Sequence, residues 1–315
     1  MRSRNVIWVS ILFFLFISGC NDKKKRAQFD EMRLITKSTV SVETTADGNR
    51  YYLYKDVSYL SLDRPEKMDI YIPFGKPDKD SGFAAVIAIH GGGWREGHKS
   101  RLINRTCAEA IVEKGYAVFC PDYLLNTNDK MAWPVNIYDC KTAVRYVRKV
   151  SRFYNIDPQR IGVMGNSAGG HLALLAGFSG DNKKLDSGGL YKDHSSQVKC
   201  IVNIYGVPDV REWGSDAFVK DPSSKGSGEI LALASPVTHL SKDSPPVLTI
   251  HGDKDALVPL KLSKDLAKQL SANNVEHEFV VVRGGAHAFT LYPDILNSLT
   301  DLRSHVIKFL DKHLK

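Results

Sequence analysis

The chain has no apolar run long enough to cross a bilayer: Val6–Ile17 is 12 residues, where a hydrocarbon core requires about 20. Nor is its charge strongly one-sided, with 43 Lys and Arg against 35 Asp and Glu. The basic cluster Lys23-Lys24-Lys25-Arg26 has no interleaved aromatics, so no nucleic-acid partner is expected. Cysteine is scarce, five in 315 residues, and none is spaced as in zinc sites. Internal repeats are absent, which excludes a solenoid, and no motif calls for a metal or an organic cofactor. What remains is 43% hydrophobic and 25% charged, the balance of an ordinary globular domain rather than a disordered chain.

The first twenty residues stand apart. Arg2 and Arg4, the run Val6–Ile17 and the small residues Ser18-Gly19 before Cys20 fit a cleaved export signal. Ile17-Ser18-Gly19-Cys20 resembles a bacterial lipobox, which implies a signal peptide over 1–19 and a lipidated Cys20. The expected protein is exported and held to the membrane through that anchor, with Lys23–Arg26 near anionic headgroups. Residues 20–50 are polar and unpatterned and read as a tether, leaving 51–315 as the folded domain. Cys107, Cys120, Cys140 and Cys200 then face an oxidising compartment, either as disulfides, with three complete pairings open, or as buried thiols.

Val57–Leu62 and Met68–Ile72 alternate at period two and predict an antiparallel pair at a sheet edge. From there the pattern becomes short continuous apolar runs: Ala84–Ile89, Tyr116–Cys120, Arg160–Met164, Cys200–Ile204, Val247–Ile250 and Glu278–Val282. Such runs suit strands buried on both faces, and helix-length segments between them imply parallel crossovers. Helices are expected at Leu102–Lys114, Ile137–Phe153, Ala168–Phe178, Lys261–Ala272 and Asp294–His313. The fold class is therefore α/β, a doubly wound, mostly parallel sheet of about eight strands with an antiparallel N-terminal edge. Two polar insertions interrupt it: 180–197, read as a solvated loop, and 208–243, which contains Trp213 and is a candidate cap.

Gly165-Asn166-Ser167-Ala168-Gly169 sits between an expected strand and an expected helix, the context in which G-x-S-x-G forms a nucleophile elbow. A serine nucleophile needs a base, an acid to orient that base, and donors for the oxyanion. The acid is sought at a later strand end, where Val247–Ile250 runs into His251-Gly252-Asp253-Lys254-Asp255. Asp255 is preferred, Asp253 is read as shaping the turn by local hydrogen bonding, and His251 as packing. The base follows the last strand, at His287, and the order Ser167, Asp255, His287 is that of the hydrolase arrangement. His90-Gly91-Gly92-Gly93-Trp94 follows the strand Ala84–Ile89 and is the candidate oxyanion loop, with donors from Gly92, Gly93 and Ala168. Trp94 and Trp213 are candidates to limit acyl size. Asp122 and Asp139 lie at no triad position and are read as structural.

Together, His90–Trp94, Gly165–Leu172, His251–Pro259 and His287 make the chain resemble the α/β-hydrolase superfamily. HGGGW with GxSAGGHLA is similar to the hormone-sensitive-lipase-related esterases, and in particular to the bifunctional acetylxylan and feruloyl esterase group. Pro121–Leu125 and Asp157–Val163 match that group too. The resemblance covers 51–315 and implies a serine carboxylic ester hydrolase acting on acetyl or hydroxycinnamoyl esters of plant-type polysaccharide fragments, without cofactor. Other readings are a serine peptidase of prolyl-oligopeptidase type, for which about fifty preceding residues are too few to hold the propeller; an arylformamidase, whose intracellular substrate conflicts with export; and a non-catalytic binding module on the same fold.

Overall fold

In a computed structural model, residues 39–180, 182–287 and 302–315 are described. The expected signal peptide, Cys20, most of the tether and 294–301 of the last expected helix lie outside them.

Among the described residues, nine strands form one sheet: β1 (Thr39–Thr44), β2 (Arg50–Val57), β3 (Met68–Pro73), β4 (Phe83–Ile89), β5 (Ala117–Pro121), β6 (Ile156–Asn166), β7 (Ile201–Ile204), β8 (Val247–Gly252) and β9 (His277–Val282). Their spatial order is β1-β2-β3-β5-β4-β6-β7-β8-β9. Pairings from β1 to the β3–β5 contact are antiparallel, and all later ones are parallel. This is the expected doubly wound sheet with an antiparallel N-terminal edge.

The helices are α1 (Leu102–Val112), α2 (Val135–Lys149), α3 (Ala168–Ser179), α4 (Ser227–Ala234), α5 (Leu260–Ala272) and α6 (Leu302–Leu314). Strand β4 shows why both faces must be covered. Phe83, Ala85, Ile87 and Ile89 join the core packed by α2, α3 and α5, while Ala84, Val86 and Ala88 join the core packed by α1 and α6. Side chains alternate across a strand, so an unbroken apolar run needs a helix layer on each side.

Several expectations are corrected. The expected strand Val57–Leu62 is instead β2 at Arg50–Val57, whose pairing is irregular between Tyr54 and Val57, where Asp56 turns to φ +57°. Tyr59 and Leu60 are buried in the loop beyond it, so their apolar character reflects loop packing rather than a pleat. Strand β1 lies within the stretch read as tether; it is polar and largely exposed and is held by its ladder to β2, so it leaves no hydrophobic signal. Helix α2 stops at Lys149, four residues short of the expected end.

Residues 180–197 are not simply solvated. Leu185 is fully buried, and the buried Arg145 guanidinium on α2 donates to Asp186 and to the Leu190 carbonyl. The insertion 208–243 folds as α4 flanked by single 3-10 turns at Ser215–Ala217 and Pro236–His239. Among the described residues, Cys107, Cys120, Cys140 and Cys200 are all buried, and no two of them are joined in a disulfide.

Candidate active site

Strand β6 ends at Asn166 and α3 begins at Ala168, so Ser167 alone makes the turn, at φ +54° and ψ −123°. A left-handed backbone at a residue with a Cβ costs on the order of 1–3 kcal/mol and persists only where its surroundings enforce it. Here the enforcement is steric. A Cβ on Gly165 would stand 2.2 Å from the Gly169 carbonyl oxygen, and one on Gly169 2.2 Å from that of Ile89. The two glycines of the motif let strand and helix approach this closely, and the Ser167 N–H donates to the Ile204 carbonyl at 2.9 Å.

The three residues expected to work together do meet. Ser167 Oγ lies 3.0 Å from His287 Nε2, and His287 Nδ1 lies 2.7 Å from Asp255 Oδ2. The Asp255 side chain is fully buried, and its Oδ1 accepts the backbone N–H groups of Leu257 and Val258 at 2.9 and 2.8 Å. A carboxylate only accepts, so the His287 proton sits on Nδ1, leaving Nε2 to accept from the Ser167 hydroxyl.

His251, read as a packing residue, also touches the acid. Its Nε2 lies 3.0 Å from the Val258 carbonyl and 3.2 Å from Asp255 Oδ2, and its Nδ1 faces Ser263 Oγ at 2.7 Å. Burial pushes the His251 pKa down, so the neutral ring donates from Nε2. Asp253 does not shape its own turn by local bonding. Its Oδ1 accepts the Gly284 N–H at 2.6 Å, and Lys254 N–H donates to the Gly285 carbonyl at 2.9 Å, fastening the acid loop to the histidine loop.

The glycine loop after β4 lies against the elbow. A Cβ on Gly91 would come 2.8 Å from the Asn166 carbonyl oxygen and 3.2 Å from Ser167 Cβ. Gly92 and Gly93 take φ +129° and +58°, and the Gly92 carbonyl points back to accept from Arg95 and Glu96. Among the described residues, the N–H groups of Gly92, Gly93 and Ala168 donate to no protein acceptor. His90 anchors this loop: its ring stacks on Tyr123 at 4.3 Å, its carbonyl accepts the Tyr123 hydroxyl, and burial pushes its pKa down to about 4. Asp122 accepts the Lys99 N–H at 2.6 Å, and Asp139 pairs with Arg64 at 2.7 Å; both hold loops.

Trp94 and Trp213 line one cavity of about 720 Å³ together with Ser167, His287, Tyr205 and Leu257. Trp94 is nearly buried, with its ring 5.1 Å from Phe218 and 6.4 Å from Trp213, so the insertion forms part of the cavity wall. Its indole N–H donates to His171 Nδ1 at 3.1 Å, and His171 Nε2 lies 2.8 Å from the Ala234 carbonyl on α4. His171 thus joins the glycine loop, the elbow helix and the insertion. The sequence signal for it was its place four residues after Ser167, one helical turn down α3.

Comparison with known proteins matches the BD-FAE family over residues 68–270, more than half of the chain. The matched stretch includes His90–Trp94, Ser167 and Asp255 and ends before His287. Among curated proteins, the chain is 31% identical to the probable carboxylic ester hydrolase LipM of Mycobacterium tuberculosis, over 68% of this chain and 51% of that protein. The chain therefore spans about half the length of this relative. Among solved structures it is similar to a truncated form of a carbohydrate esterase from gut microbiota, with TM-score 0.71, 26% identity, and coverage of 83% of this chain and 95% of that one. It is also similar to an acetyl ester-xyloside bifunctional hydrolase from Caldicellulosiruptor lactoaceticus, with TM-score 0.67, 26% identity, and coverage of 80% and 92%. Within a sheet of this order, with a serine on the turn between β6 and α3, the chain belongs to the BD-FAE family and has the α/β-hydrolase fold.

Proposed function

We propose that this protein is a serine carboxylic ester hydrolase that removes acetyl or hydroxycinnamoyl groups from plant-type polysaccharide fragments. The observation that carries the reading is the single imidazole of His287, which spans Ser167 Oγ at 3.0 Å and Asp255 Oδ2 at 2.7 Å. The carbohydrate side rests on the similar structures, one named a carbohydrate esterase and another an acetyl ester-xyloside hydrolase.

In the proposed reaction, Ser167 Oγ attacks the ester carbonyl carbon while its proton passes to His287 Nε2. The oxyanion is held by the N–H groups of Gly92, Gly93 and Ala168, each donor contributing about 3 kcal/mol in comparable sites. The bond to the sugar oxygen breaks as His287 returns the proton to the leaving alcohol. Water then attacks the acyl-serine, giving its proton to His287, and the carboxylic acid leaves as Ser167 is regenerated. Asp255 holds His287 in the accepting tautomer throughout. Trp94 and Trp213 bound the acyl side.

The test measures acetate and ferulate released from acylated xylan by wild type and Ser167→Ala. Loss of about 10⁴-fold or more in the variant is expected; equal rates would sink the proposal. Wild type that neither cleaves an ester nor reacts with a fluorophosphonate would favour a binding module. Export and anchoring belong to the same proposal: wild type in a bacterial host should take up labelled palmitate and Cys20→Ser should not.

A further inference from the structure

Tyr205, the first residue after β7, belongs to none of the motifs described above, yet it has an unusual position. Its backbone is left-handed, at φ +41°, in a bulky aromatic residue for which that conformation is strained. Its N–H donates to the Ile250 carbonyl on β8 at 2.8 Å, one residue beyond the Ile204 carbonyl that receives the Ser167 N–H. The turn is pinned on its far side by the Asn203 side chain, which accepts the Gly206 N–H at 3.0 Å. The strained residue is therefore clamped between the strand beside the elbow and the strand that leads to the acid.

Its side chain is directed by that backbone. The ring is 1% exposed, lies 4.7 Å from the His287 ring at an angle of 58°, and forms part of the cavity wall. Asn166, the neighbour of Ser167, lines the same cavity. The strained residue thus sets an aromatic ring directly against the His287 imidazole.

We propose that Tyr205 is a positioning residue: its ring keeps the His287 imidazole in the orientation that spans Ser167 and Asp255. A tilted aromatic contact is directional as well as apolar, so it limits rotation of the imidazole. Without it, the imidazole keeps the Asp255 hydrogen bond as a pivot but loses the wall that stops it swinging away from Ser167. The consequence for turnover rests on the ester-hydrolase reading; the consequence for the imidazole itself does not.

The experiment compares Tyr205→Leu and Tyr205→Phe in the full chain, with Tyr205→Met beside them as a replacement that fills more of the same space. On p-nitrophenyl acetate, Leu and Met should lower kcat by about 10- to 100-fold with KM within about 3-fold, the loss expected from a mispositioned base. Phe keeps the ring and should stay within about 3-fold of wild type in kcat. In parallel, the proton on His287 Nδ1, assigned by its absence in His287→Gln, should be sharp and downfield in the NMR spectra of wild type and Phe and broadened in Leu and Met. Wild-type kcat and an unbroadened signal in folded Leu or Met would overturn the proposal, as would a rise in KM alone or equal losses in Phe and Leu. Should wild type prove no more active than Ser167→Ala, the hydrolase reading fails on its own, and the NMR signal still decides whether Tyr205 positions His287.

Discussion

Around Ser167 the chain is confined mainly by backbone packed on backbone, whereas around His287 hydrogen bonds tie the loops together and the Tyr205 ring packs on the imidazole. Strand β6 runs between β4 and β7 in the middle of the sheet, and its end is fixed by backbone pressed on backbone at Gly165 and Gly169. Strand β9 ends the strand order of the described sheet, half-exposed along its length, and its loop is tied to the acid loop through Asp253 to Gly284, Lys254 to Gly285, and Asp255 to His287. A serine confined by volume should tolerate no added atom. An imidazole tied by polar contacts should tolerate no change of donor or acceptor.

The sharpest way to break that comparison is Asp255→Asn, the largest effect expected. The two backbone donors at 2.9 and 2.8 Å will hold the amide oxygen, which turns the amide NH₂ toward His287 Nδ1. Nδ1 must then accept, the proton moves to Nε2, and Ser167 loses its acceptor. A comparable tautomer inversion elsewhere lowers kcat by about 10⁴-fold with geometry intact. Steady-state kinetics with a thermal melt should show that loss at near-wild-type stability, and a melt lowered as much as the activity would mean that volume, not polarity, governs this side too.

Gly169→Ala tests the other side. The added methyl meets the Ile89 and His90 carbonyl groups at 2.2 and 2.5 Å, backbone that cannot step aside without moving the elbow. Destabilisation of about 4 kcal/mol or more is expected, in the range reserved for severe core clashes, read as a fall in the denaturant midpoint. A folded, stable Gly169→Ala would show that the elbow has slack.

A smaller effect comes from pH. His90 and His171 both brace the Ser167 side, and burial pushes the pKa of each down to about 4. In the unfolded chain a histidine titrates near ~6.5. Between those values the unfolded state takes up protons that the folded state refuses, so this contribution is complete above about pH 6.5 and declines as pH falls toward 4. The loss is on the order of 3 kcal/mol per histidine. His171 shows why: Nδ1 accepts from Trp94, and a proton there would set two donors face to face. Unfolding free energies of wild type and His171→Gln from pH 8 to 4 should diverge in slope below about pH 6.5, and parallel curves would remove His171 from this account.

Much of this was legible in the linear chain because it depends on local pattern. The buried strands β4 and β5 appear as unbroken apolar runs, β7 and β8 as mostly apolar ones, and the elbow as glycines two residues either side of a serine. Asp255 could be preferred to Asp253 from its place in the acid loop, and His287 from its place after a strand. Strand β1 was illegible because a polar edge strand is held by a ladder to β2 and buries little. The place of His171 one turn after Ser167 was legible, but the partners of His251, His171 and Tyr205 were not, because each comes from another element: Ser263, Trp94 and Ala234, and His287.

The sequence by itself determined the class of fold and the glycines that let backbones touch, since each follows from the allowed conformations and burial of nearby residues. Only the tertiary structure decided that four cysteines are buried and not joined to one another, that the stretch 180–197 is pinned by Arg145, and that the insertion's Trp213 closes a wall with Trp94. It also decided that Asp253 joins two loops rather than shaping one. The physical reason is the same in each case: hydrogen bonds and packing act over a few ångströms in space, and the partners they bring together here come from separate strands, helices and loops of the chain.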